Sequence, residues 1–232
     1  MVIDLFLWPM LLPLAVPIFY SLRYKKKHLP EILVIALSMS LIVVLWWPVV
    51  TSDILGSETY YASKLLLFVL LPLLCLLIFG RKRHALDPRR YGIRKGGLAK
   101  SLRFALIVLP IMLVVTYLAW LIPGPVYGAD FWLGVAMFFE SFTEEFLFRG
   151  ILFVFLLSRT NVQIAAFTSV ACFVLMHPQH LDNISLLPTV TQGILTMEIA
   201  RRSENIIGAW FLHGINRFFT IAVLPLSVLG TA

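Results

Sequence analysis

Long apolar blocks recur along the whole chain, each bounded by short polar or basic stretches. Apolar blocks of about 18 or more residues have the length of a membrane-crossing helix. The pattern predicts eight spans: Val2 to Tyr20, Ile32 to Val50, Tyr60 to Phe79, Phe104 to Ile122, Phe131 to Ser158, Val162 to His177, Ile184 to Ala200, and Ile206 to Leu229. The sixth and seventh are short for a full crossing. The first does not read as a cleavable signal, because no basic residue precedes it, it contains Asp4, and its apolar run is too long. Pro9, Pro13 and Pro17 should bend it, which neighbouring helices can tolerate. The expected fold class is all-α, a polytopic membrane protein with about eight transmembrane helices.

Composition agrees with that pattern. Of 232 residues, 60% are apolar and 13% charged, and mean hydropathy is +0.92. Soluble domains carry about 25% charge, so this chain has too little polar surface to cover itself. An ordinary soluble enzyme, a disordered tail and a nucleic-acid-binding domain are excluded. The net charge of +7 does not change this, because the basic residues sit between apolar blocks as they do in membrane topology. Arg23 to Lys27, the cluster from Arg81 to Arg103, Arg159, and Arg201 with Arg202 follow alternate spans. Lys64, Asp53, Glu58, Asp130 and Asp182 fall to the other side.

The positive-inside rule then puts the basic loops in the cytoplasm and both termini outside, in the plasma (inner) membrane of a prokaryote. The loop from Arg81 to Lys100 is expected to lie along the anionic leaflet. The lipid bilayer is one expected partner, and nucleic acid is not. Cys75 and Cys172 lie in apolar segments and read as small fillers.

Ionisable residues at bilayer depth are costly, about 2.5–3.5 kcal/mol or more each, and ask for a reason. The fifth span contains Glu140, Glu144, Glu145 and Arg149. Helical spacing puts Glu140 beside Glu144 and lets Glu145 pair with Arg149. Glu144 is left crowded by carboxylates, with no cation in its own helix. Such a group suits proton transfer. His177 and His180 end the sixth span, and His213, Asn216 and Arg217 lie in the eighth. Three helices thus carry a carboxylate, imidazoles and an amide at comparable depths. A carboxylate and an imidazole can activate water, and imidazole and amide N–H groups can hold an oxyanion. Two histidines and a carboxylate could also ligate zinc, but there is no HExxH pair and Arg149 sits beside the carboxylates. No cofactor is therefore expected, and zinc is disfavoured.

These residues resemble the CAAX prenyl endopeptidase and bacteriocin-processing family of glutamic-type intramembrane proteases. EEFLFR, Glu144 to Arg149, matches its EExxxR motif, and FVLMH, Phe173 to His177, matches its FxxxH motif. The third motif, HxxxN, departs: in HGINR the asparagine is three residues after His213, and Arg217 takes the fourth place. The resemblance covers roughly Phe131 onward. It implies that Glu144 and His177 activate water, that His213 and Asn216 bind the oxyanion, and that Glu145 and Arg149 order the site. Phe173 would pack beside it, and His180, with no counterpart, reads as a loop residue near the outer surface.

Residues 1–103 are then expected as N-terminal membrane helices with a basic cytoplasmic loop, and residues 104–232 as a catalytic membrane core, in one integrated domain. The expected activity is intramembrane endopeptidase, without a covalent intermediate. The substrate would be a membrane-anchored protein or peptide entering from the cytoplasmic side or laterally. A proton-coupled transporter and a non-catalytic immunity or scaffold protein of the same fold are the alternatives.

Overall fold

The computed structural model describes residues 7–51, 58–80, 86–121 and 129–225. Among them every regular element is helical. A tight 3-10 segment, Trp8–Leu14, leads into α1, Ala15–Tyr24. Pro9 and Pro13 lie in that segment, where missing N–H groups would break an ordinary α-helix. The other helices are α2, Leu29–Thr51; α3, Thr59–Lys64; α4, Leu71–Ile78; α5, Leu98–Leu121; α6, Phe131–Glu145; α7, Val162–Leu175; α8, Leu186–Ser203; and α9, Ile207–Phe218. Three runs are long and apolar enough to cross a membrane: Lys26–Thr51, Thr59–Ile78 and Leu98–Leu121. Val162–Leu175 is a shorter apolar helix. The remaining expected spans are helical where described, but the polar residues within them or their shorter runs keep them below that standard. The start of the first span and the end of the eighth lie outside the described residues.

Three π-helical segments interrupt the expected plain α geometry. Leu65–Leu70 joins α3 to α4, Phe146–Phe155 continues α6, and Phe219–Val223 continues α9. Each begins one or two residues after a charged side chain: Lys64, Glu145 or Arg217. Wide turns of this kind are frequent at functional sites, because they re-aim the side chains around them.

Packing divides into two apolar clusters. The larger gathers α1, α2, α4, the α6 continuation and α7, with Phe148, Phe153 and Phe173 fully enclosed. The smaller, around Met112, Ile199 and Leu212, joins α5, α8 and α9. Helices α5 and α9 approach closely at Gly208, whose N–H donates to Ser101 Oγ at 2.9 Å. A Cβ there would run into the Ser101 carbonyl.

The basic stretch before α5 does not lie loose on the bundle. Its Tyr91 side chain is buried, stacked on Phe155 with ring centroids 5.9 Å apart. Burial pushes the Tyr91 phenol up to about 12, so it stays neutral. Asn205 Nδ2 ties the same stretch to the α8–α9 turn by donating to the Arg94 carbonyl at 2.6 Å. Tyr91 thus anchors residues 86–97 to the bundle, while Arg89, Arg90, Arg94 and Lys95 stay exposed.

Candidate active site

Asp130 caps α6, accepting from the Leu133 N–H at 2.8 Å, and so fixes where the helix starts. Fourteen positions on, the helix places its two adjacent carboxylates on different sides. Glu145 is fully buried and pairs with Arg149, as the i,i+4 spacing predicts, at 3.2 Å. The Arg149 guanidinium is also fully buried. It donates to Thr196 Oγ1 of α8 at 2.7 Å and Ser169 Oγ of α7 at 3.2 Å, and stacks 4.7 Å from the Phe173 ring centroid. A buried guanidinium is tolerable only with such partners. The second oxygen of Glu145 accepts from His213 Nδ1 at 2.8 Å. With Nδ1 carrying the proton, the neutral ring presents its Nε2 lone pair away from Glu145.

Glu144 faces the other way. Its Oε1 accepts from the ammonium of Lys64, which also pairs with Glu140. Lys64 is buried within the site and does not belong with the outer-side loop residues. Glu144 is thus answered by a cation from α3, contrary to the reading of an unrelieved carboxylate crowd. Arg217 Nη2 stands 3.6 Å from Glu140 Oε2. Three carboxylates and three cations therefore interlock, which lowers the cost of holding them all under cover.

The free side of Glu144 meets both imidazoles. His177 Nε2 and His213 Nε2 are each 3.9 Å from Glu144 Oε2. Those separations are too long for direct hydrogen bonds and suit one bridging water. His177 lies just beyond α7, ended there by Pro178, and is not a helix residue as expected. Its Nδ1 donates to the Phe173 carbonyl at 2.9 Å, satisfying one carbonyl that the helix end leaves open. Its Nε2 lone pair is consequently the one turned to Glu144. Phe173 packs edge-on against His213 with centroids 5.9 Å apart and tilted against His177 at 5.0 Å. Gly193 of α8 makes room for it, since a Cβ there would sit 3.2 Å from the ring.

A cavity of about 490 Å³ opens beside this cluster, lined by Phe173, His177, His213, Asn216 and Arg217 among others. A smaller one of about 190 Å³ reaches Lys64 and Glu144, with His177, Gln179 and Arg217 on the boundary between the two. Asn216 is placed in the larger cavity's wall. Its Oδ1 accepts from Thr116 Oγ1 at 2.8 Å and its Nδ2 donates to Gln192 Oε1 at 2.9 Å. Arg217 is turned to the carboxylates instead. His180, in the turn after α7, stacks on His177 with centroids 5.3 Å apart and also lines the larger cavity.

Against known families, residues 128–219 match the model described as type II CAAX prenyl endopeptidase Rce1-like. That model is of a peptidase family, and the matched segment spans Glu144, His177 and His213 together. No curated protein and no solved structure matches the chain.

The matched segment does not hold the whole cluster. Lys64 and Thr116 come from outside it. Charge counting could have found Lys64: three buried carboxylates beside two arginines want a third cation, and Lys64 is the one lysine inside an apolar span. Gln192, Thr196 and Ser169 carry a weaker signal, as isolated polar residues on otherwise apolar helices. As a zinc site the donor set fits poorly. Ligands sharing one zinc stand about 3.3 Å apart, closer than the 3.9 Å here, and Lys64 already occupies Glu144 Oε1.

Proposed function

We propose that the protein is a glutamic-type intramembrane endopeptidase that hydrolyses a peptide bond of a membrane-anchored protein or peptide. The observation that carries this reading is the convergence of Glu144 Oε2, His177 Nε2 and His213 Nε2 beside a cavity of about 490 Å³. All three are acceptors in the neutral tautomers that their Nδ1 partners select. An acceptor triad of this kind holds a donor, and water has two protons to give.

Hydrolysis then follows from the residues. Glu144 and His177 draw a proton from the water as its oxygen bonds to the carbonyl carbon. The developing oxyanion is met by the Asn216 amide, which has a second N–H beyond the one given to Gln192, while His213 Nε2 accepts the water's other hydrogen bond. The C–N bond breaks as the proton held by the Glu144–His177 pair passes to the leaving amine. Lys64 keeps Glu144 Oε1 fixed, so that only Oε2 faces the water. Glu145, holding His213 Nδ1, sets that ring's tautomer and direction. No metal enters the scheme.

The test is proteolysis of co-expressed membrane proteins by wild-type and Glu144→Gln protein. Processing that survives the substitution overturns the mechanism. Activity that disappears on chelation and returns with zinc would replace it with a metalloprotease.

A further inference from the structure

The ends of the bundle differ in charge, and the larger cavity opens at only one of them. At one end the basic segments lock together. Lys25 Nζ donates to the Thr160 carbonyl at 2.9 Å, and Arg159 pairs with Glu31 at 2.7 Å. Arg94 pairs with Glu204, and the Ile206 N–H donates to the Gly92 carbonyl at 3.0 Å. Tyr91 joins the two groups through Phe155, over which Arg159 also lies. Among the described residues, the exposed cations lie in or beside the turns that precede α2, α5 and α9.

The cavity wall belongs to the other end. It includes Trp120 near the end of α5, Leu133 near the start of α6, Ser185 before α8, and Thr220 beyond α9. Helix α5 begins at Leu98, within the basic end. At ~1.5 Å per residue, Thr116 and Trp120 stand about 27 and 33 Å from it. That distance is the thickness of a bilayer's hydrocarbon core, about 30 Å. Among the described residues, the exposed charges near this end are Glu58, Asp130 and Asp182, and Lys64 and Arg217 there point into the site.

Resting on the peptidase reading, we infer that the active-site cavity opens on the extracytoplasmic face, and that the substrate is an extracytoplasmic segment of a membrane-anchored or exported polypeptide. Positively charged loops are retained in the cytoplasm, and the cavity mouth lies a membrane's thickness away from them. A cytoplasmic tail would meet the closed, basic end. This replaces the expectation of cytoplasmic access.

Single-cysteine labelling tests the orientation without depending on activity. Asp182→Cys marks the exposed rim and Ala99→Cys the exposed start of α5. Cys75 and Cys172 are buried, so background is low, and their replacement by alanine removes it. Spheroplasts of an expressing bacterium are treated with a membrane-impermeant maleimide, with detergent-solubilised samples showing that both thiols react when exposed. The expected result is labelling of Asp182→Cys from outside, at least tenfold above Ala99→Cys, with the two equal in detergent. Labelling of Ala99→Cys from outside, or equal labelling of both, overturns the inference. Loss of the peptidase reading would show instead as wild-type processing by Glu144→Gln, with labelling unaffected.

Discussion

The charged cluster has two halves that share one helix and differ in almost everything else. On the Glu145 side, carboxylate, guanidinium and imidazole are sealed among α6, α7, α8 and α9, and Arg149 and Glu145 are wholly inaccessible. Glu145 pairs with both Arg149 and His213, and the whole half lies within residues 128–219. On the Glu144 side, the partners come from α3 as well as α9, and a cavity reaches the carboxylate. One half is built to hold still. The other keeps a carboxylate oxygen and two imidazole lone pairs turned toward one another beside the cavities. Adjacent residues of identical chemistry therefore take opposite roles, because a turn of about 100° per residue puts them against different neighbours.

The contrast can be broken most sharply at Glu145. Glu145→Ala strands a buried guanidinium and releases His213, at a cost of about 3–5 kcal/mol of stability. A marked fall in the melting temperature of the detergent-purified protein is expected, with activity lost alongside. A variant that melts like wild type would mean that this half is not the structural one.

Glu144→Gln should do the reverse. It keeps the shape and a hydrogen-bonding group for Lys64 while removing the base, so turnover should fall by about 10³-fold or more with little change in melting temperature. A large stability loss with turnover intact would exchange the two assignments.

Lys64 sharpens the comparison from outside the family segment. Lys64→Met leaves Glu140 and Glu144 facing each other without a cation, and turnover should drop by about 10²–10³-fold, the scale of a lost charge partner at a catalytic carboxylate. Lys64→Arg should restore most of it. Equal losses in the two variants would show that the lysine's shape, and not its charge, is needed.

The smallest effects are expected at the departing third motif. Asn216→Ala should reduce turnover about 10²-fold, as removal of one oxyanion donor does, while Arg217→Ala should reduce it less than tenfold and lower stability instead. Turnover assays at matched protein levels decide between them. A silent Asn216→Ala with a damaging Arg217→Ala would hand the donor role to the guanidinium.

Much of this cluster could be read from local spacing. The Glu145–Arg149 pair follows from positions four apart in a helix and needs no knowledge of the fold. The same holds for Phe173 and His177, which meet through the last turn of α7. Lys64 and Glu144 are 80 residues apart, and Glu145 and His213 are 68 apart, so their contacts rest on how whole helices pack. The π segments were equally hidden, since they shift register inside runs that read as uniformly apolar. The stacking of His180 on His177 was not read from HPQH either, because it depends on the tight 3-10 turn that follows α7.

By itself the sequence determined an all-helical, bilayer-scale chain with its cations gathered at alternating loops, because apolar run length and charge placement act through water and lipid, independently of partners. It also determined which side chains were too costly to bury without a purpose. Only the tertiary structure decided which carboxylate is sealed by Arg149 and His213 and which is held by Lys64 at a cavity wall. It likewise decided at which end that cavity opens. Those outcomes depend on distances between helices remote in the chain, where each charge takes the partner that packing brings within reach.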